Sequence, residues 1–172
     1  MKKTLIVLAL LASFQVADAQ SNVNSAAKAV ESALAASRNE KKATKVATWM
    51  KLAQTYLDAY AAPAGNVWLG ADMNALQLSM GGEKPSSVET VTLNGAQYTK
   101  LVYENKNLYF NANGQLSVIE VVKPVVENAL PKALEAYKKA YELDEKHSKD
   151  KDISAGIKTI SEKLNQEAYN AY

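Results

Sequence analysis

The chain contains no cysteine. No disulfide framework can hold it together, and neither a thiol nucleophile nor a thiolate metal site is open to it. It has a single histidine, His147. A Ser-His-Asp system or a histidine-bearing zinc site would have to be built around that residue, and no supporting motif surrounds it. His147 lies in a charged stretch and reads as a solvated cation near a helix end. Neither charge sign is in excess: 20 Lys and Arg face 18 Asp and Glu. The basic footprint that nucleic acid or an anionic membrane surface requires is missing. The Gly81-Gly82 pair precedes Glu83, not a basic residue, so it makes no phosphate loop. Asn113-Gly114 lacks the acidic ladder of a calcium loop. Asp144, Glu145, Asp150 and Asp152 are interleaved with Lys146, Lys149 and Lys151, which predicts ion pairs and caps. No cofactor and no catalytic residue is expected.

What is present begins with an export signal. Met1–Ala19 carries Lys2 and Lys3, then a short apolar core over Leu5–Leu11, then Ala17-Asp18-Ala19 as a small-x-small cleavage site. The apolar run is too short to span a membrane. The expectation is a signal peptide over residues 1–19, cleaved after Ala19. A periplasmic or secreted protein without membrane insertion is expected to follow, with residues 20–172 as one domain.

Hydrophobic periodicity lays out that domain. A first helix is predicted over Ala26–Ser37, with Ala26, Val30, Ala33 and Leu34 on one face, followed by a charged connector, Arg38–Lys42. A second runs from Ala43 to Ala61, where Pro63 and Gly65 stop it. Residues 66–126 change character. A short helical turn falls within 69–82, and the period then drops to two. Strands are predicted over Val88–Leu93, Gln97–Tyr103, Leu108–Phe110 and Gln115–Val122, with turns at Asn94-Gly95, Asn105–Asn107 and Asn113-Gly114. One face of this meander is expected to pack on the helices. Asn128 is a candidate cap for a helix running to His147, with Pro131 tolerated in its first turn. A last helix starts near Asp152 with a stripe of Ile153, Ile157, Ile160, Leu164, Ala168 and Ala171. A stripe this apolar needs a cover, which predicts a longer chain in which residues 152–172 open a following, incomplete repeat.

Two stretches share a further pattern. Trp49, Leu52, Ala53 and Tyr56 follow the W-x2-L-G-x2-Y spacing of a helix–turn–helix repeat, with alanine in the glycine place. Ala133, Tyr137 and Ala140 follow its second helix, and Tyr141 is expected on the same face. Small residues let helices approach closely, and the tyrosine ring fills the groove between them. Glu145 stands where the repeat expects proline. Two ordinary Ala-rich amphipathic helices are the other reading of the same residues.

The chain resembles a family of exported tetratricopeptide-repeat proteins of Bacteroidota type. The likeness lies in the leader ending Ala19-Gln20, in Thr48-Trp49 and in the Ala133–Tyr137 helix followed by Lys151-Asp152-Ile153. It also lies in the inserted segments Leu93–Gly95, Asn107–Asn111, Asn113–Leu116 and Val122–Pro124. The resemblance implies an α+β architecture: antiparallel helix hairpins of about four helices, with a small β-meander inserted between the two helices of one repeat. It implies a non-enzymatic scaffold that binds a protein or peptide partner in the cell envelope. Such scaffolds bind peptides on the face lined by first helices. That face transfers to Met50, Gln54 and Leu57, with Lys51 and Asp58 nearby, and packing against the inserted sheet is the other role open to these residues. The clamp that grips a C-terminal carboxylate needs a basic residue and an asparagine where this chain has Met50 and Gln54. The alternative function is a carbohydrate- or peptidoglycan-binding module, in which Tyr98 and Tyr109 of the sheet would form a stacking platform if exposed together.

Overall fold

The structure is a computed structural model and describes residues 22–170. The expected signal peptide, and Ala171 at the end of the apolar stripe, lie outside the described residues. The fold is α+β, with six helices and one four-stranded antiparallel sheet among the described residues. Contacts divide it into two units, Pro63–Pro124 and Asn24–Ala62 together with the chain from Val125 on. No helix of the described residues is long and apolar enough to cross a membrane.

The helical unit holds α1 (residues 22–38), α2 (Glu40–Ala43), α3 (Val46–Ala61), α5 (Ala129–Leu143) and α6 (Asp150–Asn170). The expected charged connector is itself the one-turn helix α2. Asn39 caps it by accepting from the Lys42 N–H, and Trp49 ties it to α3 through an indole N–H donated to the Ala43 carbonyl at 2.8 Å. The core is one cluster in which Leu52, Ala53, Tyr56 and Leu57 of α3 meet Leu130, Ala133, Ala136, Tyr137 and Ala140 of α5. Ala53, Ala133 and Ala140 are wholly buried. Side chains this small let the two backbones approach, and the tyrosines fill what space remains.

Three details of the helical unit differ from the sequence reading. Tyr141 is 51% exposed, because Ala133, Ala136, Tyr137 and Ala140 centre the buried stripe of α5 to one side of it. Its ring lies 5.8 Å from that of His147. Asn128 does not cap α5 with its side chain; it takes a left-handed conformation, φ 55°, that turns the chain into the helix. The helix stops at Leu143 rather than His147, because Asp144 folds away to accept hydrogen bonds from the Ser148 hydroxyl and the Lys149 N–H. Burial opposes ionisation of Asp144, but those donors overcome it and hold its carboxyl below the ordinary value.

Helix α6 seats on α5 through Gly156. A Cβ at that position would collide with Cζ of the Tyr137 ring. Ile153 and Ile160 are buried beside it, whereas Leu164 and Ala168 further along the same stripe are exposed.

The second unit is a meander, β1 (Ser87–Leu93), β2 (Ala96–Val102), β3 (Lys106–Phe110) and β4 (Leu116–Val121), in that spatial order. Asn94 and Gly95 both have positive φ, as a two-residue hairpin turn requires. The second hairpin is longer. The Asn111 side chain accepts from the N–H groups of Asn113 and Gln115, Gly114 takes φ 73°, and the register slips at Tyr109/Phe110. The sheet's apolar face, with Leu101, Leu108, Phe110 and Leu116, is closed from within the unit by Ala71 and by Leu76 of α4 (Met73–Ser79). Asp72 caps α4 by accepting from the Ala75 N–H at 2.9 Å.

Lys106 and Asn107, expected in a turn, belong to β3 and are buried. Their polarity imitates a turn, but each finds a carboxylate. The Lys106 ammonium pairs with Glu83 at 3.0 Å and lies 5.3 Å from the Tyr103 ring centre, while the Asn107 amide donates to Glu120 at 2.7 Å.

Two outcomes are expected. Gly156→Ala lowers stability by about 1–3 kcal/mol, because overpacking against the tyrosine ring outweighs the gain in helix propensity. Chemical denaturation measures this, and Tyr137→Leu in the same chain restores most of the loss. Glu83→Gln leaves the Lys106 cation buried without its counter-ion and costs about 3 kcal/mol. Replacing both partners, Glu83→Leu with Lys106→Met, recovers most of that loss in the same assay.

Candidate functional site

The helical unit contains a groove of about 540 Å³ between α3 and α6. Met50, Gln54, Leu57, Asp58 and Ala61 form the α3 wall. These are the i, i+4, i+7, i+8 and i+11 positions, one stripe of a helix. The facing wall is Asp152, Ala155, Gly156, Thr159 and Lys163 of α6, and Tyr137 of α5 lies between the walls. The groove exists because Gly156 admits the Tyr137 ring so closely that α6 stands beside α3 with that ring between them.

Polar groups in the groove are unevenly satisfied. The Gln54 amide donates to Asp58 at 2.9 Å, and Thr159 donates back to the Ala155 carbonyl. The Lys163 ammonium lies 5.3 Å from the Tyr60 ring centre. Tyr137 is only 4% exposed, yet no hydrogen bond reaches its hydroxyl from any described residue. Burial first, and the charge of Asp58 second, push its ionisation above the ordinary phenol value. Tyr60 is pushed up to about 12 by burial, then by the charge of Glu167 and a hydrogen bond to it.

Met50, Gln54 and Leu57, named from the sequence, therefore share one wall. Asp58, named as a neighbour, joins them, whereas Lys51 points to solvent and is absent from the groove. Leu57 is also part of the helical core. Trp49, Leu52, Ala53, Tyr56, Ala133 and Ala140 are core or part-core residues and do not line the groove, whereas Tyr137 does both. The α6 wall was not singled out in the sequence. Its one legible signal is Gly156, a glycine in the middle of a helical pattern, which marks close approach of another group.

Tyr98 and Tyr109 share one face of the sheet in the other unit, but they are not exposed together. Tyr98 is half-buried, and Tyr109 is 8% exposed. The Tyr109 hydroxyl donates to Glu120, and the Lys100 ammonium sits 5.7 Å from its ring centre while pairing with Glu89 at 3.7 Å. This side-chain ladder crosses all four strands and occupies the ring that a stacking platform would need. No group of three or more His, Cys, Asp or Glu is placed to hold a metal ion among the described residues. His147 instead stands 3.3 Å from Asp150 in the α5–α6 turn.

Comparison with family models, with curated proteins and with solved structures finds no match to the chain.

The Tyr60 contact gives the α3–α6 pairing a pH dependence. Its folded pKa lies above the unfolded value of 10.0, so the native state holds the proton more tightly. The stabilisation is complete below pH 10.0 and is lost as pH rises towards about 12. Phenolate absorbance is expected to show late-titrating tyrosines, with Tyr103 and Tyr109 also at about 12. Tyr60→Phe removes one late ionisation and flattens the loss of helical signal over that range.

Proposed function

We propose that the chain is a non-enzymatic protein–protein interaction scaffold of the bacterial cell envelope, built on tetratricopeptide-like helix pairs. It is exported by residues 1–19 and works in the periplasm or outside the cell. The observation that carries this reading is the groove between α3 and α6, whose walls combine apolar side chains with amide, hydroxyl and carboxylate groups that a peptide could engage. The spacing of Trp49, Leu52, Ala53 and Tyr56 on α3, and of Ala133, Tyr137 and Ala140 on α5, supports the repeat assignment. Packing of α3, α5 and α6 around shared small residues supports it further. The carbohydrate-binding alternative rests on Tyr98 and Tyr109, and the burial of Tyr109 under Lys100 leaves it without a stacking surface.

The test places a photo-crosslinking residue at Gln54, at Thr159 or at Tyr98 in living cells and identifies adducts by mass spectrometry. Gln54 and Thr159 are expected to capture the same protein, and Ala155→Trp, which plugs the groove from an exposed position, is expected to abolish both adducts. Adducts only from Tyr98, or groove adducts indifferent to Ala155→Trp, would overturn the assignment.

A further inference from the structure

We propose that the α3–α6 groove is built to receive the cationic side chain of a lysine or arginine presented by a partner peptide. This inference rests on the scaffold reading and specifies its ligand.

A carboxylate accepts several hydrogen bonds, yet Asp58 receives one, from Gln54, and no lysine or arginine among the described residues pairs with it. Asp152 lines the same groove, and its partner Lys149 stands 3.6 Å away on an exposed surface. The one cation of the lining, Lys163, is held at the Tyr60 ring. Asp58 is therefore the carboxylate of the lining with no ion-pair partner among the described residues, and it attracts an ammonium or guanidinium.

The second observation is the Tyr137 hydroxyl. The Tyr137 residue is 4% exposed and lines the groove, and its hydroxyl has no hydrogen-bond partner among the described residues. Its oxygen can accept a hydrogen bond from a donor that enters the groove. Once the Gln54 amide is engaged with Asp58, the Gln54 carbonyl oxygen remains an acceptor. Carboxylate, phenol oxygen and amide oxygen together make an acceptor-rich lining. That suits a group with several donors and no acceptor, which is what lysine and arginine carry. Met50, Leu57 and Ala155 supply apolar surface for the methylene stem, so the head alone needs polar partners.

The experiment titrates the isotopically labelled full chain with capped Ala-Ala-Xaa-Ala-Ala peptides, where Xaa is lysine, arginine, norleucine or glutamate, and follows amide shifts by NMR. Saturable shifts at Asp58, Gly156 and Thr159 are expected with lysine and arginine only. Asp58→Asn weakens them about tenfold, the loss typical of a charge-assisted hydrogen bond. Tyr137→Phe, which keeps the ring over Gly156, weakens them severalfold. Equal shifts with norleucine would overturn the cation specificity and leave the scaffold reading standing. No groove shifts with any peptide, while Gln54 crosslinks persist, would likewise remove only this inference. Absence of both would remove the two together.

Discussion

The contact between the Tyr137 ring and Gly156 is the constraint on which the helical unit depends. A ring seated where any Cβ would collide fixes α6 at one distance and one rotation on α5. Packed interiors do not deform smoothly, so that one close approach sets what the rest of α6 can reach. It brings Ile153 and Ile160 into the core and turns Asp152, Ala155, Thr159 and Lys163 towards α3. The same ring belongs to the core on one side and on the other carries a hydroxyl with no hydrogen-bond partner among the described residues. Structure and recognition thus share one side chain.

The sheet unit solves a different problem. A small meander needs a cover for one face, and α4 supplies it with Leu76 while Asp72 holds the start of that helix. Its central strand, β3, is buried along its full length although it begins with Lys106 and Asn107. Such groups can be buried only with partners. Lys106 finds Glu83 and the Tyr103 face, and Asn107 finds Glu120, which also takes the Tyr109 hydroxyl. The donors to Glu120 hold its carboxyl below the ordinary value in spite of burial. The Asn107 carbonyl oxygen remains without a partner among the described residues, the one such buried side-chain atom there. These polar links act across strands that are distant in sequence, so they specify register as well as stability.

Legibility followed the range of the interactions. The stripes of α3 and α5, the Asn94-Gly95 turn and the period-two strands are local patterns, and each was readable without knowing what lay opposite. The α3 wall of the groove was readable too, because helical spacing places Met50, Gln54 and Leu57 together once one of them is chosen. Polar triplets misled: Asn105–Asn107 has turn composition, but Lys106 and Asn107 are strand residues, because their partners lie 23 and 13 residues away. Tyr141 was misplaced for a related reason. Four-residue spacing puts it near the buried stripe, and only the position of the neighbouring helix decides on which side of the boundary it falls.

By itself the sequence determined the chemistry open to this protein and the kind of elements it forms. The lack of cysteine and the lone His147 follow from composition. Helix and strand follow from periodicity, because backbone geometry repeats on a scale of a few residues. Tertiary structure alone decided that Gly156 is a seat for an aromatic ring, that Tyr109 is buried rather than displayed, and that a carboxylate on α3 and a phenol on α5 line the same groove. Those outcomes depend on which surfaces meet after the chain closes on itself. A residue carries no record of the partner that will face it until packing density has excluded the alternatives.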